Sequence, residues 1–147
     1  MAYNIISIII AVSLGILSWI DIKKREIPSF LTTTLIFIVC VLKIENLEYG
    51  IYSLLFSIML FELSYIKGLA DIKIITLIGL TVNTFTQFSV MMILIMGLGV
   101  VWQGLFIVPI LNKHYKKDKN IWERIKKVEL PFIPVLAITY IILKIIF

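Results

Sequence analysis

The sequence alternates long apolar runs with short charged clusters, a pattern typical of membrane proteins built from several helices. Of its 147 residues, 61% are hydrophobic and 16% are charged, whereas a soluble domain carries about a quarter charged residues. A helix needs roughly 20 apolar residues to cross a bilayer. We therefore predict an all-α polytopic membrane protein, a single domain over residues 1–147 with about six transmembrane helices in one bundle. The predicted spans are residues 3–20, 29–43, 49–66, 69–83, 88–111 and 130–147.

Local features adjust these spans. The second and fourth are short, so we expect them to extend into their flanks or to pack inside the bundle at partial depth. Pro28 suits the first turn of the second helix, where a missing N–H costs nothing. Pro109 is expected to end or kink the fifth helix. The first run has no basic region before it and further apolar segments follow, which favours a retained helix over a signal peptide.

The basic residues indicate how the helices are oriented. If the N-terminus lies outside, residues 21–28, 67–73 and 112–129 are cytoplasmic, and they hold 12 of the 14 lysines and arginines. Only Lys43 and Lys144 lie on the other side. The positive-inside rule therefore favours six spans in the cytoplasmic membrane, with both termini outside. In this layout Asp21 and Asp71, 50 residues apart in the sequence, lie at the same membrane depth on the cytoplasmic side.

The residue types exclude several other classes of function. The net charge of +5 needs no nucleic-acid partner, because most lysines cluster beside helix ends. A single cysteine, Cys40, leaves no disulfide framework and no CxxC pair for zinc. The chain also lacks HExxH and GxSxG motifs, and its one histidine, His114, lies in a lysine-rich loop. We expect no metal and no cofactor.

Two carboxylates close together at a membrane surface have coupled ionisation. The first proton leaves easily, whereas like-charge repulsion and partial desolvation hold the second. One carboxylate can then act as general base on water while the other, protonated, polarises the carbonyl that is attacked. Spacing alone leaves an alternative open, since Asp21 with Lys24 and Asp71 with Lys73 could form weak surface ion pairs.

Three short motifs carry a resemblance to a known family. DIKKREIPSFL, from Asp21, resembles the first signature of the type IV prepilin and preflagellin peptidases. GLADIK, residues 68–73, resembles their second, GxGD-type signature, and LPFIPVLA, residues 130–137, resembles a Pro-Phe-x-Pro element of their last helix. The order and spacing of the motifs fit this family over essentially the whole chain. One departure is Ala70, where the family usually has glycine immediately before the second aspartate.

The resemblance implies a membrane aspartic endopeptidase whose catalytic pair is Asp21 and Asp71. Its substrates would be precursors of type IV pilins or archaeal flagellins, which carry a short basic leader followed by a hydrophobic helix. The bifunctional relatives carry a cytoplasmic extension with paired cysteines and also N-methylate the trimmed pilin. This chain has neither feature, so the resemblance implies a short form with peptidase activity only.

Several further residues are candidates for supporting the site. Glu62, inside the third predicted span, could tune the aspartates or pair with a lysine. Lys73 could bias an aspartate toward ionisation or contact a lipid head group, and Glu26 could attract a basic leader. Gly68 would carry any backbone bend before Asp71, since Ala70 loses the freedom of a glycine. The site-supporting candidates are thus Gly68, Ala70, Lys73, Glu62 and Glu26.

Other polar features have simpler interpretations. The residues of segment 112–129 suit an amphipathic stretch on anionic membrane lipid. Trp102 and Gln103 are expected to pack and hydrogen-bond between helices, and Gly97 and Gly99 to allow close helix approach. Two rival functions stay open: a small ion- or proton-coupled transporter component, and a structural membrane subunit. A transporter would favour carboxylates near the midplane, whereas both aspartates lie at one face.

Overall fold

The structure is a computed structural model that describes residues 2–24, 27–63, 65–114 and 130–147. In these ranges the regular structure is entirely helical, as the apolar runs predict. A short 3-10 helix, Ile44–Asn46, separates the second and third α-helices. The α-helices of these ranges are α1 (Ala2–Lys24), α2 (Ser29–Leu42), α3 (Leu47–Glu62), α4 (Leu69–Gly79), α5 (Phe85–His114) and α6 (Ile133–Ile146).

The helices differ in their capacity to cross a membrane. Within the described residues, two segments are long and apolar enough, Ile5–Lys24 in α1 and Phe85–Val108 in α5. A third span is possible if α2 and the segment Ile44–Glu62 are counted as one, with a bend of 100° between them. With 11 and 14 residues, α4 and α6 fall well short of a bilayer core of about 30 Å at about 1.5 Å per residue. Fewer helices therefore reach spanning length than the six predicted.

Two short helices lie at the centre of the packing. α4 packs against α2, α3 and α6, whereas α6 packs against α1, α4 and α5. Side chains from α1, α3, α4, α5 and α6 contribute to the fully buried core, in which Leu14, Ile75, Met91, Ile133 and Leu136 are each 0% exposed. Large apolar side chains also cover the outer surface of α1, α2 and α5, which is the surface that a lipid solvent favours. The burial of α4 and α6 fits the partial depth predicted for the fourth helix.

Polar contacts tie the chain together at the end of the bundle opposite Asp21 and Asp71. The Asn46 side chain donates to the Leu80 carbonyl at 3.2 Å and to Asn83 Oδ1 at 2.9 Å. Lys144 Nζ donates to the Thr81 carbonyl at 3.3 Å. Lys43, at the end of α2, forms an ion pair with Glu45 at 3.7 Å. The two basic residues predicted to lie outside thus share this end.

Three predictions on individual residues are wrong. α3 ends at Glu62 because the chain turns there, with the Tyr65 N–H donating to the Leu60 carbonyl at 2.9 Å. Glu62 is therefore an exposed residue at a helix end and not inside a span. α5 continues to His114, so His114 belongs to a helix and not to a loop. Of the two outcomes expected for Pro109, an end or a kink, the helix end does not occur there. Pro28 directly precedes α2 instead of lying in its first turn.

Candidate active site

Asp21 lies in the last turn of α1 and is only 9% exposed. Its Oδ2 accepts a hydrogen bond of 3.1 Å from the backbone N–H of Ile133, the first residue of α6. The first N–H groups of a helix have no partner within the helix, and this end carries partial positive charge. The start of α6 therefore holds the Asp21 carboxyl in place through this backbone hydrogen bond. Pro134 fits this position, since proline is tolerated in the first helical turn.

Asp71 lies in the first turn of α4 and is 8% exposed. Its Oδ2 accepts a hydrogen bond of 3.2 Å from the backbone N–H of Gly68, the residue that caps the helix. This is the reciprocal half of a capping box, in which the third helical residue reaches back to the cap. The contact holds the Asp71 carboxyl against the start of its own helix.

The two carboxyl groups line one cavity of about 210 Å³. Since water occupies about 30 Å³ per molecule in the liquid, this volume has room for several water molecules. The remaining lining comes from the segments that connect the helices: Ile27, Lys67, Gly68, Ala70, Leu130, Pro131 and Phe132. Both aspartates therefore face a shared polar space where helix ends meet.

The environment of the Asp71 carboxyl raises its proton affinity. Asp71 lies outside the helices that are long enough to cross a membrane. Burial, together with the smaller effect of the nearby Asp21 charge, raises the pKa of Asp71 from 3.8 to about 7, against the lowering effect of backbone hydrogen bonds at Gly68 and Lys67. At neutral pH Asp71 thus keeps a proton over much of its population.

Gly68 is required by space and not by backbone conformation. Its φ of −105° and ψ of 137° are open to any residue. A Cβ at this position would lie 3.1 Å from Asp71 Oδ2 and 3.6 Å from Asp71 Cγ, so any side chain would crowd the carboxyl. Ala70 lies inside α4, where alanine favours the helix by about 1 kcal/mol over glycine. The chain passes from extended backbone at Gly68 into α4, so residue 70 is helical and alanine suits it.

The other site-supporting candidates lie away from the cavity lining or outside the described residues. Lys73 Nζ points to the start of α2, where it donates to Ser29 Oγ at 2.5 Å and to Thr33 Oγ1 at 2.8 Å. Glu62 is exposed at the end of α3 and is not among the lining residues. Glu26 and most of the amphipathic segment, residues 115–129, lie outside the described residues.

The structure adds residues that the sequence did not indicate as part of the site. Lys67 lines the cavity, and its place in KGLADIK, beside the second signature, is the signal that could have indicated it. Leu130, Pro131 and Phe132 line the cavity through the segment before α6; the LPFIPVLA motif singled this segment out without a role. Within the described residues, no group of three or more His, Cys, Asp or Glu side chains is arranged to hold a metal ion.

Comparison with family models, with curated proteins and with solved structures finds no match to the chain. The function is therefore inferred from the residues and from the geometry of the cavity.

Proposed function

We propose that this chain is a membrane-embedded aspartic endopeptidase in which Asp21 and Asp71 form the catalytic pair. One observation carries the proposal. Two aspartates, 50 residues apart in the sequence, line a single cavity with room for several water molecules, and burial beside Asp21 raises the pKa of Asp71 to about 7. Such a pair, one acid and one base at the same pH, is the arrangement that general acid–base hydrolysis needs.

The surroundings of each aspartate assign its role. Asp21 accepts an N–H from the start of α6, so it is the carboxylate that takes a proton from water. Asp71 has the raised pKa, so it is the acid that shares its proton with the scissile carbonyl oxygen. In the first step water adds to the carbonyl carbon, Asp21 gains the water proton and Asp71 gives its proton to the oxygen. The product of this step is a tetrahedral gem-diol.

Collapse of the gem-diol returns Asp21 and Asp71 to their starting protonation states. Asp21 donates its new proton to the leaving amide nitrogen as the C–N bond breaks. Asp71 takes back a proton from one hydroxyl of the gem-diol as the new carboxyl group forms. The cycle consumes one water molecule and uses no nucleophilic side chain, in keeping with the residues that face the cavity.

The resemblance of three motifs supports a substrate class. Type IV prepilin-like or preflagellin-like precursors carry a short basic leader followed at once by a hydrophobic helix. The cavity lies where α1 ends and where α4 and α6 begin, which suits a bond between a water-exposed leader and a membrane helix. In this proposal the chain is a multi-pass protein of the cytoplasmic membrane that cuts at the cytoplasmic face and trims without N-methylation.

The test is cleavage of a co-expressed precursor with a short basic leader, followed by gel shift. Asp21→Asn and Asp71→Asn should each abolish processing while the protein still inserts into membranes, because an amide can neither accept nor donate the required proton. The third aspartate, Asp118, provides the matched control, and Asp118→Asn should process at the wild-type level. Retained processing in either of the first two variants would remove the pair mechanism, and no processing by the wild-type chain would contradict the peptidase activity.

A further inference from the structure

Two consecutive side chains of α5 form hydrogen bonds to the backbone of the segments beside the cavity that Asp21 and Asp71 line. Trp102 Nε1 donates a hydrogen bond of 2.7 Å to the Pro131 carbonyl. Gln103 Nε2 donates one of 3.0 Å to the Tyr65 carbonyl. Neither side chain lines the cavity. However, Trp102 bonds to Pro131, which lines it, and Gln103 bonds to Tyr65, which lies two residues before the lining residue Lys67.

Each of these contacts lies close to the amide that holds one aspartate. Pro131 is two residues before Ile133, whose N–H donates to Asp21. Tyr65 is three residues before Gly68, whose N–H donates to Asp71. Trp102 thus fixes the backbone that holds Asp21, and Gln103 fixes the backbone that holds Asp71.

The two segments also contact each other across the same part of α5. The Tyr65 and Phe132 rings meet edge to face with centroids 5.8 Å apart, and the Tyr65 hydroxyl donates to the Met96 carbonyl. Gly99 makes room for this contact, since a Cβ there would clash with the Tyr65 hydroxyl and lie 3.0 Å from Phe132. The predicted close approach therefore occurs at Gly99, whereas Gly97 has no neighbour within 4 Å.

We propose that Trp102 and Gln103 are positioning residues that set the separation of the Asp21 and Asp71 carboxyl groups through the backbone at Pro131 and Tyr65. The catalytic consequence rests on the proposed peptidase function, whereas the geometric consequence does not. When one helix fixes the backbone segments that bind both carboxyl groups, it provides the alignment that proton transfer requires.

The charges around Asp71 make the separation measurable. Among the residues that the structure describes, Asp21 from α1 and Lys67 from the α3–α4 connection are the charged side chains that line the cavity with it. Lys73, on the same helix, is bound to Ser29 and Thr33 of α2, and the α6 segment contributes the apolar Phe132. If the α5 contacts are lost and the carboxyl groups move apart, Asp21 repels the ionised form of Asp71 less, and Asp71 loses its proton at lower pH.

The test is infrared titration of the purified full chain in lipid vesicles, which needs no substrate. The protonated Asp71 carboxyl is identified as the C=O band that Asp71→Asn removes. In Trp102→Phe and in Gln103→Leu its midpoint should shift to lower pH by about one unit, as expected when a nearby like charge recedes. Two controls should keep the wild-type midpoint: Trp19→Phe, which changes an exposed indole of α1, and Gln87→Leu, which removes a backbone contact with Asn83 at the far end of the bundle. Wild-type midpoints in both α5 variants would overturn the proposal.

Cleavage kinetics separate this proposal from the proposed function. Misalignment should lower kcat about tenfold in each α5 variant with little change in KM, since an error of about 1 Å in a catalytic group costs up to 10²-fold. Shifted midpoints in a chain that cleaves no precursor would support the positioning role and contradict the peptidase. Unshifted midpoints with normal kcat would contradict the positioning role alone. If Gln103→Leu does not accumulate as folded protein, Gln103→Met, which keeps an unbranched side chain, decides the question.

Discussion

At the scale of single residues, the proposed chemistry depends on how the Asp71 carboxyl is held. Its carboxyl is buried, lies near the Asp21 charge and is bound by the Gly68 N–H. The first two features favour the protonated acid, and the hydrogen bond limits their effect. A buried carboxyl with this balance changes its charge near neutral pH, which suits the proposed catalytic role and makes its ionisation a cost to folding at high pH.

The raised pKa of Asp71 predicts how stability depends on pH. Between pH 3.8 and about 7 the unfolded chain releases the Asp71 proton and the folded chain keeps it, so this group lowers stability as pH rises. Asp71→Asn should therefore be more stable than the wild type at pH 8, by about 2–4 kcal/mol, and similar to it at pH 4. Thermal unfolding in detergent at both pH values measures this, with Asp118→Asn as control. Equal Tm values for Asp71→Asn and wild type at pH 8 would contradict the raised pKa.

The two small residues of GLADIK should respond in opposite ways. Gly68→Ala places a Cβ 3.1 Å from Asp71 Oδ2, so the carboxyl must shift by a few tenths of an ångström. We expect about a tenfold loss of kcat with a nearly unchanged Tm. Ala70→Gly weakens α4 by about 1 kcal/mol but leaves the carboxyl in place, so Tm should fall and kcat should change little. Equal kcat losses in the two variants would show that crowding at Gly68 is not the cause.

At the scale of helices, the sequence predicts some features well and others poorly. Within the described residues, the apolar runs predict the six α-helices in their order along the chain, because a helix in lipid needs a long apolar run. The end of α3 was misplaced, because the turn after Glu62 is made by backbone contacts within apolar sequence. α5 also continues past Pro109, so the proline does not mark a helix end. The amide that holds Asp21 comes from Ile133, 112 residues away, and no local pattern contains such a contact.

Lys73 joins two helices, and this assigns it a structural role. Its Nζ donates to Ser29 and Thr33 at the start of α2, so it ties α4 to α2 beside the cavity. Lys73→Met should lower stability by about 1–3 kcal/mol, the usual cost of losing hydrogen bonds to a charged group. Lys24→Met, at an exposed position of α1, is the matched control and should leave Tm unchanged in thermal unfolding. A Tm for Lys73→Met equal to that of the control would show that these hydrogen bonds do not contribute to stability.

At the scale of the whole molecule, the polar residues separate into two ends. Asp21, Asp71 and Lys67 meet at one end, while Asn46, Thr81 and Lys144 meet at the other. The sequence anticipated that Asp21 and Asp71 share one end, because basic residues mark one face of a membrane protein. It could not indicate that the two side chains share a cavity, since this depends on how α1, α4 and α6 pack.

The proposed orientation places the aspartate end in the cytoplasm, and labelling tests it. In a Cys40→Ser background, Lys24→Cys and Glu45→Cys each add one exposed thiol, at opposite ends of the bundle. With intact cells, a membrane-impermeant maleimide should label Glu45→Cys and spare Lys24→Cys until the membrane is opened. The reverse pattern would place the aspartates outside and contradict cleavage at the cytoplasmic face.

The kinetics of the purified chain in lipid vesicles test whether Asp21 and Asp71 act as one unit on a scissile peptide bond. The wild type, Asp21→Asn, Asp71→Asn and the double variant are compared on one precursor. Groups that act as a unit show strongly non-additive losses, so each single variant should lose at least about 10³-fold in kcat and the double variant no more. A single variant that keeps kcat within tenfold of wild type, or losses that multiply in the double variant, would contradict the pair.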